Sequence, residues 1–271
     1  MGLESASPLR PSWIVIGIVS LGVFFTALDQ TVVVTILPRI MLDLKVPPTE
    51  LDQAAWIITG YLLGYTVAIP FMARLADIYG YKRLLVTSLL VFATGSVLVA
   101  LSPNLPWLVT FRVIQALGGG ATVPIGLALI TRTLPSRQHG LAVGIIGASA
   151  EAGIVLGPLY GGGITIALGW RWLFWLNLPQ VAVLLLTFRY LPTGQGSKGP
   201  VDYTGGLLLA LGLTLLLVAL SSREAFAISS PTPYALGLLG LLVMGSLVLV
   251  EGRATQPLLS GLFFKSRVAL S

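Results

Sequence analysis

The chain has 271 residues, 55% of them hydrophobic and 10% charged, with a net charge of +6 and a mean hydropathy of +0.92. A soluble domain carries about 25% charged residues, so this composition excludes an ordinary soluble domain and reads as an all-α, polytopic membrane protein. The chain has no cysteine and a single histidine, His139, which excludes disulfide frameworks, thiolate sites and a histidine-rich metal centre; no metal and no cofactor is expected.

The N-terminal stretch MGLESASPLRPSW has no short apolar core and no small-residue cleavage site, so no cleaved signal peptide is expected. Ala6 stands where a myristoylation signal needs Ser or Thr. Apolar runs of spanning length, about 20 residues, fall near 13–37, 53–75, 84–101, 105–131, 140–167, 172–191, 204–220 and 234–250. Each must be helical, because lipid offers the backbone no hydrogen-bond partner. This gives a bundle of eight transmembrane helices.

The first span carries Asp29. Gly22, Thr26, Asp29 and Val33 are spaced 4, 3 and 4 and so share one small, polar helix face. A carboxylate in a span is costly unless it is paired, protonated or wetted. The second span ends at Asp77 and is followed by Gly80, Lys82 and Arg83. The fourth carries Arg112, Gln115 and Gly119, again spaced 3 and 4, and ends at Arg132.

Gly118, Gly119 and Gly120 follow no strand and precede no Lys-Ser/Thr pair, so they are not a phosphate loop. No Ser, His and Asp are placed together for hydrolysis, and the chain is not read as an enzyme.

The fifth span carries Gly140, Gly144, Gly147 and Glu151 at spacings 4, 3 and 4, which predicts a close-packed groove ending in a buried acid. That acid is either a protonated Glu bonded to a neighbouring helix or a proton or cation site. Gly153, Gly157 and Gly161 then recur every four residues beside Pro158, a pattern that lets backbones touch. Beyond the sixth span lies the Gly-rich stretch LPTGQGSKGPVD, then two Leu/Gly runs with scarcely a polar atom, then the tail 251–271.

With the N-terminus in the cytoplasm, Arg10, Arg74, Lys82, Arg83, Arg132, Arg137, Arg189, Lys198, Arg253, Lys265 and Arg267 fall inside, and Arg39, Lys45, Arg171 and Arg223 outside. The bias is eleven to four, which is why the net charge reads as membrane orientation and not as nucleic-acid binding. Trp107, Trp170 and Trp172 then serve as outer interfacial anchors and Trp13 as an inner one.

Five segments resemble signatures of the major facilitator superfamily, in its fourteen-span drug:proton antiporter branch. LDQTVVVTILP resembles the first-helix signature and ARLADIYGYKR the loop after the second helix. FRVIQALGGGA resembles the fourth-helix signature and GIVLGPLYGG the antiporter signature of the fifth, while WRWLFWLNLP resembles the opening of the sixth. Departures are Ala73 for the first loop Gly, Ile78 for the Arg after Asp77, Tyr81 for a basic residue, and Val34 or Thr35 where Asn is expected.

The resemblance implies a major-facilitator-type six-helix N-terminal domain over 1–191 and a cytoplasmic linker over 192–203. Two peripheral helices then occupy 204–250, and the tail 251–271 leads toward a second half. It implies a proton-coupled exporter in the cell (inner) membrane. The expected partners are the lipid bilayer, protons, a small-molecule substrate such as a lipophilic cation, and a second six-helix half or a second copy.

Asp29 and Arg112 lie at a common depth, roughly 10–14 Å below the outer surface at ~1.5 Å per residue, on helices that resemble inverted-repeat partners. They are expected to meet, either as a static ion pair or as a proton-coupling pair together with Glu151. Asp77, Gly80, Lys82, Arg83 and Arg132 are implied as an inner gate. Gly153, Gly157, Pro158, Gly161 and Gly162 are implied as the antiporter motif, and Phe24, Phe25, Trp56, Tyr61, Tyr65 and Gln115 as the substrate cavity. Two other readings stay open: a solute uptake permease, and a membrane interaction protein or half-transporter without transport of its own.

Overall fold

Residues 10–191, 203–225 and 231–251 are described by the structure, a computed structural model. They form α1 (Arg10–Asp43), α2 (Leu51–Tyr79), α3 (Tyr81–Ala100), α4 (Leu105–Gly119), α5 (Thr122–Thr133), α6 (Ser136–Leu168), α7 (Arg171–Thr187), α8 (Tyr203–Ala225) and α9 (Thr232–Glu251). Among the described residues, seven helical stretches are long and apolar enough to cross a membrane, with Thr204–Leu220 a shorter apolar eighth. Large apolar side chains stand on the outside, Ile166 at 89% exposure and Leu159 at 72%, a surface suited to lipid tails. The linker and the tail, with Lys198, Arg253, Lys265 and Arg267, lie outside the described residues.

The fourth span differs from its reading as one continuous helix. It divides at Gly120 and Ala121 into α4 and α5. Pro124 has no N–H to offer the Gly120 carbonyl four residues back, which frees the chain to turn. The glycines before it allow close packing: a Cβ at Gly118 would lie 2.5 Å from the Ser88 carbonyl of α3, and one at Gly120 2.7 Å from the Tyr65 carbonyl of α2.

Helix pairing has internal symmetry. Helix α1 packs along α6 as α4 packs along α2, while α3 meets α7 and α1 meets α5. Exchanging α1 with α4–α5, α2 with α6 and α3 with α7 reproduces the pattern, as two interlocked three-helix repeats require. Helix α8 packs on α2 and on α9.

The core is layered. One apolar cluster gathers Val15, Val19, Val23, Leu85, Phe92, Ile125, Ile146, Val181 and Leu184. The other gathers Val32, Val33, Ile36, Ile57, Val99, Leu108, Leu173 and Phe174. Helices α1, α3 and α7 and the α4–α5 pair run from one cluster to the other, and each places polar residues at the crossing: Asp29 on α1, Ser96 on α3, Arg112 and Gln115 on α4, Asn177 on α7. The buried charges among the described residues, Asp29 and Arg112, thus lie in one layer between two apolar ones.

Candidate functional site

Asp29 and Arg112 meet in that layer. Arg112 Nη1 lies 2.8 Å from Asp29 Oδ2, with the two side chains 0% and 2% exposed. The same Nη1 donates to Gln115 Oε1 at 2.7 Å, and Nη2 donates to the Asp29 carbonyl at 3.4 Å. The guanidinium lies over the Tyr61 ring, 4.0 Å from its centroid, and 5.6 Å from that of Phe174. A buried guanidinium needs this arrangement, because its charge is costly without a counter-ion and its flat faces are met by ring faces.

The second carboxylate oxygen of Asp29 receives two amides. Gln115 Nε2 donates to Oδ1 at 3.1 Å and Asn177 Nδ2 at 2.7 Å. Both amide nitrogens also donate to Ser96 Oγ, at 2.8 and 3.2 Å. Ser96 in turn donates to the Phe92 carbonyl at 2.9 Å. Asn177 and Ser96 escaped the sequence reading. The buried asparagine stands in WLFWLNLP, within a segment whose resemblance was noted, and Ser96 carried no signal beyond a hydroxyl among apolar neighbours.

The seam between α1 and α6 is tight. A Cβ at Gly153 would lie 2.5 Å from the Phe24 carbonyl, one at Gly161 2.5 Å from Val32 Cγ2, and one at Gly157 would overlap Thr31 Oγ1. The repeat of glycines predicted this approach. Pro158 removes the N–H that would bond the Ile154 carbonyl; Thr31 Oγ1 lies 3.3 Å from that carbonyl, and 3.2 and 3.4 Å from the Ala27 and Leu28 carbonyls of its own helix. Gly162 has nothing within 4 Å of a built Cβ and takes no part in the seam.

At the C-terminal end of α2, Arg132 Nη2 lies 3.1 Å from Asp77 Oδ1. Tyr81 donates its hydroxyl to the same oxygen, and its ring lies 4.6 Å below the Arg132 guanidinium. The tyrosine that departs from the family pattern thus completes a three-member cluster. Gly80 joins α2 to α3 at φ +90°, a conformation that favours glycine. Lys82 does not reach Asp77; its Nζ donates to the Leu191 carbonyl at 3.3 Å. Arg83 is exposed.

Three expectations need correction. Glu151 is exposed, not buried, and Gly140, Gly144 and Gly147 have nothing within 4 Å of a built Cβ. The cause is helical phase: α6 turns its later glycines toward α1 and its earlier ones away. Tyr61 and Gln115 do not line an open cavity, since both are buried in the polar layer, Tyr61 beneath Arg112. Phe24, Trp56 and Tyr65 are half-buried, and Phe25 packs on the inner apolar cluster. Trp170 is no interfacial anchor: it is 3% exposed, packs edge-on against Phe174, and donates Nε1 to Asp43 Oδ2 at 3.1 Å. Arg171 pairs with the same carboxylate, which ties the outer end of α1 to the start of α7. Trp13, Trp107 and Trp172 are exposed, as anchors require.

The sequence model of the Major Facilitator Superfamily matches residues 19–264. A triacylglyceride transporter of Mycolicibacterium smegmatis is 41% identical over 213 residues, covering 76% of this chain and 37% of the relative. The multidrug transporter protein MdtP of Bacillus subtilis is 32% identical over 250 residues, covering 91% of this chain and 46% of the relative. The crystal structure of the human organic anion transporter MFSD10 (TETRAN) shares the fold at a TM-score of 0.59 and 18% identity, over 87% of this chain and 70% of that one. The chain spans less than half the length of these two relatives.

Proposed function

We propose, for a chain that belongs to the Major Facilitator Superfamily, that it forms the first six-helix unit of a proton-coupled exporter of bulky apolar molecules. The single observation that carries this reading is the Asp29 carboxylate, 2% exposed between two apolar layers and faced by the fully buried Arg112. A buried intramembrane acid marks ion pathways far more often than it marks plain scaffolding.

In the proposed cycle, Asp29 takes a proton from the outer side. Neutral Asp29 no longer balances Arg112, so the layer loses its internal charge match and the packing that depends on it. Two halves that rock about this layer then exchange access. Asp77, Arg132 and Tyr81 act as the inner clasp of the outward-open state, with Gly80 as the tight turn that positions them. The inner-membrane location, with the N-terminus in the cytoplasm, is supported by the basic residues inside the first six spans. In this reading α8 and α9 are the two peripheral helices.

Two relatives bear on the substrate, one named for triacylglycerides and one for multiple drugs. Both classes are largely apolar, which suits half-buried Phe24, Trp56 and Tyr65. The test uses inverted membrane vesicles carrying the chain, with and without a second six-helix half, loaded against a lipophilic cation dye and a fluorescent neutral lipid. Accumulation that collapses with the proton gradient supports export. Flux in the opposite direction makes the protein an uptake permease, and no flux with either probe in the complete assembly removes the transport reading.

A further inference from the structure

The polar layer has one feature that the proton reading above does not use. Every hydrogen bond reaching the Asp29 carboxylate comes from a donor whose orientation is fixed by something else. Arg112 has no acceptor atom, so it can meet Gln115 only through Oε1. That turns the Gln115 amide nitrogen toward Asp29 Oδ1 and Ser96 Oγ. Ser96 has a single hydroxyl hydrogen, and it goes to the Phe92 carbonyl. Its oxygen can then only accept. Asn177, lying between two acceptors, Asp29 Oδ1 at 2.7 Å and Ser96 Oγ at 3.2 Å, must also present its nitrogen.

The four atoms Asp29 Oδ1, Gln115 Nε2, Ser96 Oγ and Asn177 Nδ2 close a ring in which both amides use both hydrogens. A proton arriving on Oδ1 meets the two amide donors of the ring, and one arriving on Oδ2 faces the Arg112 N–H. The ring presents donors to Asp29 and so favours the carboxylate over the acid, with the buried Tyr61 hydroxyl also beside it.

We infer that Ser96 is a positioning residue that locks the Asn177 amide donor-first onto Asp29, beside a Gln115 amide already fixed by Arg112, so that Asp29 accepts a proton readily only when α3 and α7 release this ring. The inference rests on Asp29 being the proton carrier. Groups facing Asp29 from the elements packed on it are Arg112 of α4, Tyr61 of α2 and Tyr160 of α6; α3 and α7 contribute the uncharged Ser96 and Asn177. Ser96 carries no charge, so any effect on protonation must pass through the amides.

The experiment is infrared difference spectroscopy across a pH series on the intact protein in lipid bilayers. It follows the carboxylic-acid band that disappears in Asp29→Asn. In Ser96→Ala the Asn177 amide is free to turn its carbonyl toward the acid while Gln115 stays held by Arg112, and the midpoint of that band moves to higher pH by about one unit, a tenfold gain in proton affinity. Ser96→Cys, which keeps the volume but accepts hydrogen bonds weakly, moves it in the same direction and serves if the alanine variant does not fold. Asn177→Ala also raises the midpoint, and combining it with Ser96→Ala raises it by less than the sum, because both act on one ring. An unchanged or lowered midpoint in the Ser96 variants, with a normal Asp29 band in the unaltered protein, overturns the lock and leaves the proton reading standing. No Asp29-dependent band at any pH overturns both.

Discussion

Replacing Arg112 alone with Met removes the counter-charge and leaves the Asp29 carboxylate buried between two apolar layers. The two amides from Gln115 and Asn177 remain, but the charge-assisted bond at 2.8 Å and the contact on Tyr61 are lost. Breaking a buried pair from one side costs about 3–5 kcal/mol. The variant should therefore lose about 4 kcal/mol.

Adding Asp29→Asn to that variant removes the stranded charge while its side-chain oxygen still accepts from both amides. The double variant should recover at least half of the loss. The assay is unfolding of purified protein in detergent. An Arg112→Met protein as stable as the unaltered one, or a double variant no more stable than the single, refutes the electrostatic account of the layer.

On the α1–α6 seam, Gly153→Ala should cost about 1–3 kcal/mol by overpacking against the Phe24 carbonyl, 2.5 Å from the new Cβ. Gly147→Ala on the open face of the same helix should stay within about 0.5 kcal/mol in the 271-residue chain; thermal unfolding of the two variants side by side checks the pair. Thr31→Val should cost less than about 1 kcal/mol, because its hydroxyl has the Ala27 and Leu28 carbonyls as alternatives and its contact with the Ile154 carbonyl is exposed; thermal unfolding checks it. Asp77→Asn should leave membrane insertion intact and stability within about 1 kcal/mol, since the pair with Arg132 is exposed, while flux in vesicles falls; unchanged flux removes the clasp.

Hydropathy made the spans legible because a run of apolar side chains has one solution in lipid. Asp29 and Arg112 stood out for the opposite reason, as charges where charge is costly, and the helical rise placed them at one depth. Ser96 and Asn177 were invisible because a small neutral polar residue barely alters the hydropathy of a span. Their role exists only in the geometry that four helices make together. The two glycine stripes of α6 look alike as spacings, yet only the later one meets α1. Spacing reports which residues share a face, and the neighbouring helix decides which face is covered. Trp170 misled in the same way, since an indole near a span end suits either the interface or, as here, a buried partner such as Asp43.

The most direct test of the account is proton-driven transport by Asp29→Asn, with substrate binding measured separately on the same purified protein. The substitution keeps size and hydrogen-bonding capacity and removes titration. The account predicts retained binding of the transported probe and no accumulation under an imposed pH gradient. Normal gradient-driven accumulation by Asp29→Asn would show that this carboxylate does not carry the coupled proton.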